Sequence, residues 1–382
     1  MAVLIALDSF KGSLSAAKAA RALAQGIREV APDEELLLLP IADGGDGFID
    51  CLCETFLARG WTLQSLVVTG PYGQKVQASY LLKERTAFIE MARSCGLTLT
   101  AENERKPLLS TTYGLGAVIA DAVKRGAKTL YIGLGGSATN DLGLGCMQAL
   151  GVDLWAENHQ SIAQPFKTGD LLKLREISTE RFKDRFAEIK VVAVCDVTNP
   201  LLGEKGAARV FGPQKGLAAE ELPQMESAMA AAAALLKEHF GRDFSETQGA
   251  GAAGGMGAAL MWFFNANVQN GIDTVLNLIQ FESALKKTQF VITGEGSFDE
   301  QSLSGKAPLG VLKMAKAHGK STSLVAGRIR ASEKTIQTLG FDSFFSIREL
   351  AADDEESFSR AEELLTQVGR RWAKRHLKLK KI

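Results

Sequence analysis

Cysteine and histidine are scarce in this chain, with five Cys and four His among 382 residues. No two cysteines stand at CxxC spacing, so neither a disulfide framework nor a structural zinc site is expected. Cys51 and Cys53 lie close together, and Cys95, Cys146 and Cys195 sit among apolar neighbours, the pattern of idle thiols in a reducing compartment. Net charge is missing too: 44 Lys plus Arg balance 44 Asp plus Glu. Nucleic-acid binding draws on a cationic excess, so no such partner is expected. The basic stretch 370–381 reads as the end of a last helix, where cations suit the dipole. Long apolar runs are also absent. The longest, 249–264, falls short of the roughly 20 residues that span a bilayer. The apolar start, 1–7, lacks the basic region of a signal peptide. The expectation is a cytoplasmic protein with no membrane partner. Self-association is left open.

Glycine, by contrast, is plentiful: 38 residues, about a tenth of the chain, against an average near 7%. Twenty of them cluster in five places: Gly44–Gly47, then 133–145, 203–216, 249–257 and 294–305. Several clusters follow an apolar run and precede a helical pattern. Glycine lets a backbone approach phosphate, and a helix start presents free N–H groups to an anion.

Short apolar runs alternate with helical periodicity, which indicates an α/β class. Strands are predicted at 3–7, 36–40, 290–293, 322–326 and 343–347, with helices at 16–30, 310–318, 332–339 and 354–378. Between them, 63–69, 75–82 and 86–91 are joined by turns too short for parallel crossovers, so antiparallel hairpins are expected. The simplest topology unites the first two and last three strands in one parallel sheet. The predicted fold is therefore α/β, a flavodoxin-like doubly wound parallel sheet (residues 1–69 and 287–382) interrupted by a second, inserted α/β domain (70–286). A cleft between two such domains is the expected place for a ligand.

Standard fingerprints are weak here. Gly319-Lys320-Ser321 imitates the end of a Walker A loop but precedes a strand. Gly249-Ala250-Gly251-Ala252-Ala253-Gly254 fits GxGxxG without a strand ahead of it, and it is the sole support for a nicotinamide dehydrogenase. Tight packing beneath Leu260 to Phe263 explains it better. Four stretches carry richer chemistry: Asp8-Ser9-Phe10-Lys11-Gly12-Ser13; Gly133 to Asp141; Cys195 to Pro200 followed by Phe211 to Gly216; and Thr293 to Asp299 leading to Ser304-Gly305-Lys306. Each combines carboxylate, hydroxyl, glycine or lysine near a strand end, which suits a phosphate-handling enzyme. A non-catalytic two-domain binding protein for small acids is the other rival.

At these residues the chain resembles the bacterial type I glycerate kinases (glycerate 2-kinase), over nearly its whole length. The motifs carrying the resemblance are those stretches together with Ala42-Asp43-Gly44-Gly45-Asp46-Gly47 and Gly249 to Gly257. The resemblance implies transfer of the ATP γ-phosphoryl group to D-glycerate with Mg²⁺, giving 2-phosphoglycerate in preference to 3-phosphoglycerate. Phosphoryl transfer depends on positioning and charge neutralisation. Asp196 is expected to take the acceptor's proton or to hold Mg²⁺ with Asp299. Lys215 or Lys11 is expected to stabilise the transferred group. Asp8, Ser9, Ser13, Asp43, Asn199 and Glu295 are expected to bind substrate, and Gly135, Gly136, Ser137, Thr139, Asn140 and Asp141 the nucleotide phosphates. The chain departs from the family pattern at Ser297 (usually Arg), Asp46 (often Glu) and Leu142 (often Gly), so Ser297 receives no phosphate role.

Overall fold

The structure is a computed structural model that describes residues 2–299, 302 and 306–377. The strands are β1 Ala2–Leu7, β2 Leu36–Leu38, β3 Thr62–Thr69, β4 Lys75–Lys83, β5 Thr86–Glu90, β6 Thr129–Gly133, β7 Asp153–Trp155, β8 Glu176–Ser178, β9 Lys190–Val194, β10 Asn267–Gln269, β11 Thr288–Phe298, β12 Ser321–Ile329 and β13 Ser343–Ser346. The chain forms two compact units. One comprises Met1–Asp43, Asp50–Arg59 and Ile272–Ile382; the other comprises Gly44–Ile49 and Gly60–Gly271. Residues 62–69, grouped with the first unit on sequence grounds, lie in the second, because β3 pairs with β4 along its whole length.

The first unit is a five-stranded sheet in the order β13-β12-β11-β1-β2, parallel throughout. Renumbered within the unit, this is the doubly wound order 2-1-3-4-5 of flavodoxin-like proteins. All six residues of β1 are buried, as expected for a strand covered on both faces. The helix Ala16–Val30 has the predicted bounds, and the Ser15 side chain accepts the Lys18 N–H at 3.4 Å. It packs against Ala361–His376 with almost no space between backbones. A Cβ on Gly26 would lie 1.9 Å from the Thr366 carbonyl oxygen, and one on Gly369 would lie 2.2 Å from that of Leu23. Trp372 seals this layer and donates its indole N–H to Ser323 Oγ at 2.8 Å.

The predicted single helix 354–378 is two helices, Asp354–Ser359 and Ala361–His376, because Arg360 (φ −110°, ψ 21°) leaves the helical region. Asp353 caps the first by accepting the Glu356 N–H at 2.7 Å. Residue 378 of that prediction lies outside the described residues.

The second unit holds a six-stranded sheet, β10-β9-β6-β5-β4-β3. From β10 to β5 the strands run parallel, and β5, β4 and β3 form the expected antiparallel hairpins. The β3–β4 turn closes where Gly70 N–H meets Gln74 O at 2.6 Å. A small antiparallel pair, β7–β8, stands apart from the main sheet. An aromatic cluster of Phe182, Phe186, Phe240, Phe263 and Phe264 fills one part of this unit. No helix among the described residues is long and apolar enough to cross a membrane.

Candidate active site

In a doubly wound sheet the loops at the carboxyl ends of the strands diverge where the strand order reverses, and ligands bind in that crevice. In the first unit this switch point lies between β1 and β11, and a cavity of about 330 Å³ opens there. Asp8, Ser9, Lys11, Ser13, Asp43, Glu295 and Asp299, all singled out in the sequence, line it. The two central loops are laced together: Asp8 N–H donates to Gly294 O at 2.8 Å, and Gly296 N–H to Ser9 O at 3.3 Å. Close approach explains the glycines here. A Cβ on Gly294 would fall 1.6 Å from Val325 O, and one on Gly327 would fall 2.2 Å from Gly296 O.

The cavity concentrates negative charge at its floor. Asp8 is 6% exposed and accepts the Ser9 N–H on Oδ1 at 2.6 Å. Burial pushes its carboxyl well above the usual range, the Asp43 carboxylate adds to this, and Glu295 contributes further, while Lys11 opposes. Burial also raises Glu295, against the pull of Ser302, Lys306 and Lys11. Glu295 Oε1 and Ser9 Oγ are buried without a hydrogen-bond partner among the described residues. Ser13 is committed to the protein, since its Oγ donates to Phe358 O at 2.8 Å.

Sequence reasoning missed part of the wall: Arg328, Arg330, Asp354 and Phe358. The available signal was the alternation of two arginines directly after the buried strand 322–326. The structure extends β12 to Ile329, which carries Arg328 into the cavity's lining and sets Arg330 just past the strand end. Lys306 also lines the cavity, whereas Ser304 and Gly305 lie outside the described residues.

In the second unit, the loop 133–141 leaves the carboxyl end of β6 and is packed into the protein. A Cβ on Gly135 would lie 2.4 Å from Gly45 Cα, and one on Gly136 would lie 2.5 Å from Asp46 Oδ1. Gly135 N–H donates to Gly44 O at 3.3 Å. The two glycine motifs therefore interlock: backbone packing requires glycine at 135, and the left-handed φ of +73° favours it at 136. Asp141 is fully buried and accepts from Thr112 N–H (2.8 Å), Thr112 Oγ1 (2.7 Å), Gly143 N–H (3.2 Å) and Gly145 N–H (3.2 Å). Burial raises its carboxyl despite these donors. Lys215 is 1% exposed and donates Nζ to Ser137 Oγ at 3.1 Å, Thr139 O at 2.6 Å and Asn140 Oδ1 at 3.4 Å. Burial lowers this lysine to about 7, against the attraction of Asp141. Asp141 and Lys215 thus hold the loop in place. Thr139 Oγ1 and Asn140 Nδ2 are buried there without hydrogen-bond partners among the described residues.

Asp196 stands just past the end of β9, half-buried, with Oδ1 accepting the Gly271 N–H at 2.6 Å. Asn199 spends its amide on its own loop, donating to Lys205 O at 2.8 Å. Glu90, at the end of β5, was missed in the sequence. It is 5% exposed, accepts the N–H groups of Gly47 (3.1 Å) and Ile49 (2.9 Å), and pairs with Arg93 at 3.4 Å. It thereby fixes the start of the helix Phe48–Phe56.

The GxGxxG stretch is a packing device. Ala253, Gly254 and Gly255 adopt successive left-handed conformations. A Cβ on Gly254 would lie 2.0 Å from Thr139 O, and one on Gly257 would lie 2.0 Å from Gly249 O. The Leu142 N–H donates to Gly254 O at 3.2 Å, so this segment braces the loop 133–141. No strand precedes it, and the dinucleotide turn is absent.

Comparison with known proteins agrees with these features. The model of the glycerate kinase family matches residues 3–377. A glycerate kinase of Bacillus subtilis (strain 168) is 40% identical, across 97% of this chain and 96% of its own length. The glycerate 2-kinase of Escherichia coli (strain K12) is 38% identical, across 97% and 96%. A crystal structure from Salmonella typhimurium LT2, ascribed to glycerate kinase 2, superposes with a TM-score of 0.82 at 38% identity, covering 98% of both chains. With the fold, the ordered motifs and a match of this extent in agreement, the chain belongs to the glycerate kinase family.

Proposed function

We propose that this protein phosphorylates glycerate, moving the γ-phosphoryl group of ATP to the 2-hydroxyl and releasing ADP and 2-phosphoglycerate. One observation carries the reading beyond family membership. The switch-point cavity of the first unit brings two buried carboxylates (Asp8, Glu295) and the half-buried Asp43 together with cations (Lys11, Lys306, Arg328, Arg330). A reaction that gathers phosphate and carboxylate charge needs both kinds of group.

The donor set fits Mg²⁺. Its donors are all oxygen, Asp43 and Glu295 both repel Asp8, and Glu295 Oε1 is buried without a hydrogen-bond partner among the described residues. No group of three or more metal-binding side chains is assembled among the described residues. Mg²⁺ takes oxygen ligands and completes its shell with substrate phosphates and water. Asp8 and Glu295 would hold it, with Asp43 or Asp299 as further donors, and the ion would supply neutralisation of phosphate charge. Lys11 and Lys306 would bind the transferred group's oxygens. Asp196, oriented by the Gly271 N–H, is the candidate to hold the acceptor hydroxyl and take its proton. Lys215 and Asp141 position the loop 133–141 and are assigned no direct contact with the reacting atoms.

ADP release coupled to a visible reaction, run over a panel of hydroxy acids with phosphorus NMR of the product, tests the reading. Glycerate-dependent release yielding 2-phosphoglycerate is expected, lost on chelation and restored by Mg²⁺. Absence of glycerate-dependent release refutes the activity, and a 3-phosphoglycerate product refutes the position.

A further inference from the structure

One side of the first unit's cavity has no task in the transfer of a phosphoryl group to a three-carbon acid. Phe358 is 56% exposed, unusual for a large apolar ring beside a cavity. The protein holds it there deliberately. The break at Arg360 ends the short helix that carries it, and Ser13 Oγ donates to its carbonyl at 2.8 Å. Gly12 lies beneath the ring edge, where an added Cβ would stand 3.7 Å from Cε1. Ile347 and Ala361 extend the apolar surface.

Next to this surface are two arginines from the end of β12. Arg328 is held by Asp354 at 3.0 Å. Arg330 is exposed and makes no ion pair or side-chain hydrogen bond among the described residues; Lys306 is half-buried and likewise makes none, its charge acting on Glu295 from a distance. An apolar ring platform adjoining unspent cations, in a space of about 330 Å³, exceeds what glycerate needs. Ligand pockets for larger molecules begin at roughly 300 Å³. The matching ligand has a flat aromatic ring and a polyanionic tail. The loop 133–141, the other candidate for phosphates, owes Gly135 to packing against Gly45 and Gly136 to its left-handed backbone beside Asp46.

We propose that the cavity of the first unit holds the nucleotide, with the purine ring on Phe358 and the phosphates on Arg330 and Lys306. The inference rests on the ATP-dependent reading above. Base stacking on an aromatic side chain is sequence-tolerant and strong enough that its removal is measurable.

The test uses the full-length protein with Phe358→Ala, Phe358→Tyr and Arg330→Ala, all at exposed positions. Calorimetric ADP binding without glycerate is measured beside the KM for ATP and for glycerate. Phe358→Ala is expected to weaken ADP binding and raise the ATP KM on the order of 10-fold, with the glycerate KM unchanged. Phe358→Tyr restores both, and Arg330→Ala weakens ADP binding while leaving adenosine binding intact. Unchanged ADP affinity in Phe358→Ala overturns the proposal, as does a rise confined to the glycerate KM; the kinase reading survives either result. If the wild type releases no ADP with glycerate yet binds ADP through Phe358, the reaction reading fails and the nucleotide site stands.

Discussion

Lys215 offers the sharpest physical test. Its amine is buried among Ser137, Thr139 and Asn140, and burial lowers it from the ordinary 10.5 to about 7. At 1.36 kcal/mol per pH unit, that gap corresponds to about 5 kcal/mol of penalty on the folded state whenever the lysine is charged. The folded chain loses this proton near 7 and the unfolded chain near 10.5. Between those values the unfolded state binds more protons, so stability contributed by this site rises with pH. Below about 7 both states are protonated and the full penalty is present. Replacing the lysine by methionine keeps the stem and removes the charge. It also leaves Thr139 O without its donor, at a cost of about 1–3 kcal/mol that does not depend on pH.

Wild type and Lys215→Met should therefore diverge with pH. From pH 7 to pH 9 the wild type gains on the order of 2 kcal/mol relative to the variant. Urea unfolding at pH 6, 7, 8 and 9 measures this divergence. Lysine labelled with ¹³C at Cε supplies the site directly, as one resonance titrating near neutrality that the variant lacks. Parallel stability profiles, or a Lys215 resonance titrating near 10, would refute the burial argument.

Three other outcomes are expected. Glu295→Gln conserves shape and removes a charge from the cavity floor; kcat should fall on the order of 100-fold, and a change under threefold in steady-state assays would exclude Glu295 from charge neutralisation. Asp196→Asn keeps an oxygen for the Gly271 N–H, so circular dichroism should be unchanged while kcat drops about 10²–10⁴-fold if this carboxylate accepts the proton; near-normal turnover would remove it from the mechanism. Gly26→Ala drives a methyl group into the Thr366 carbonyl and should cost about 1–3 kcal/mol or more, read as a lower Tm, with an unchanged Tm contradicting the tight helix contact.

The architecture was largely legible in the sequence because its causes are local. A strand buried on both faces must be a short apolar run, as in β1, and a turn of Pro71-Tyr72-Gly73 is too short for anything but a hairpin. The five predicted strands of the first sheet are its five strands. Motifs rich in glycine and carboxylate ended up at carboxyl ends of strands for the same reason: each follows an apolar run directly.

The use made of each glycine and charge was not legible, because that depends on what the fold places opposite. Gly26 and Gly369 look like weak points of two helices until the backbones of those helices meet. Asp141 and Lys215 read as ligand contacts, yet both are buried and spent on holding the loop 133–141 in place. Phe358 falls inside the single helix predicted over 354–378, and only the bend at Arg360 and the pairing of β12 place it with Arg328 and Arg330 around one cavity. Hydrophobic periodicity alone determined the strands, the hairpins and the positions of the loops at strand ends. Tertiary structure decided which polar groups stay available to a ligand, since burial and hydrogen bonding between distant residues set that availability.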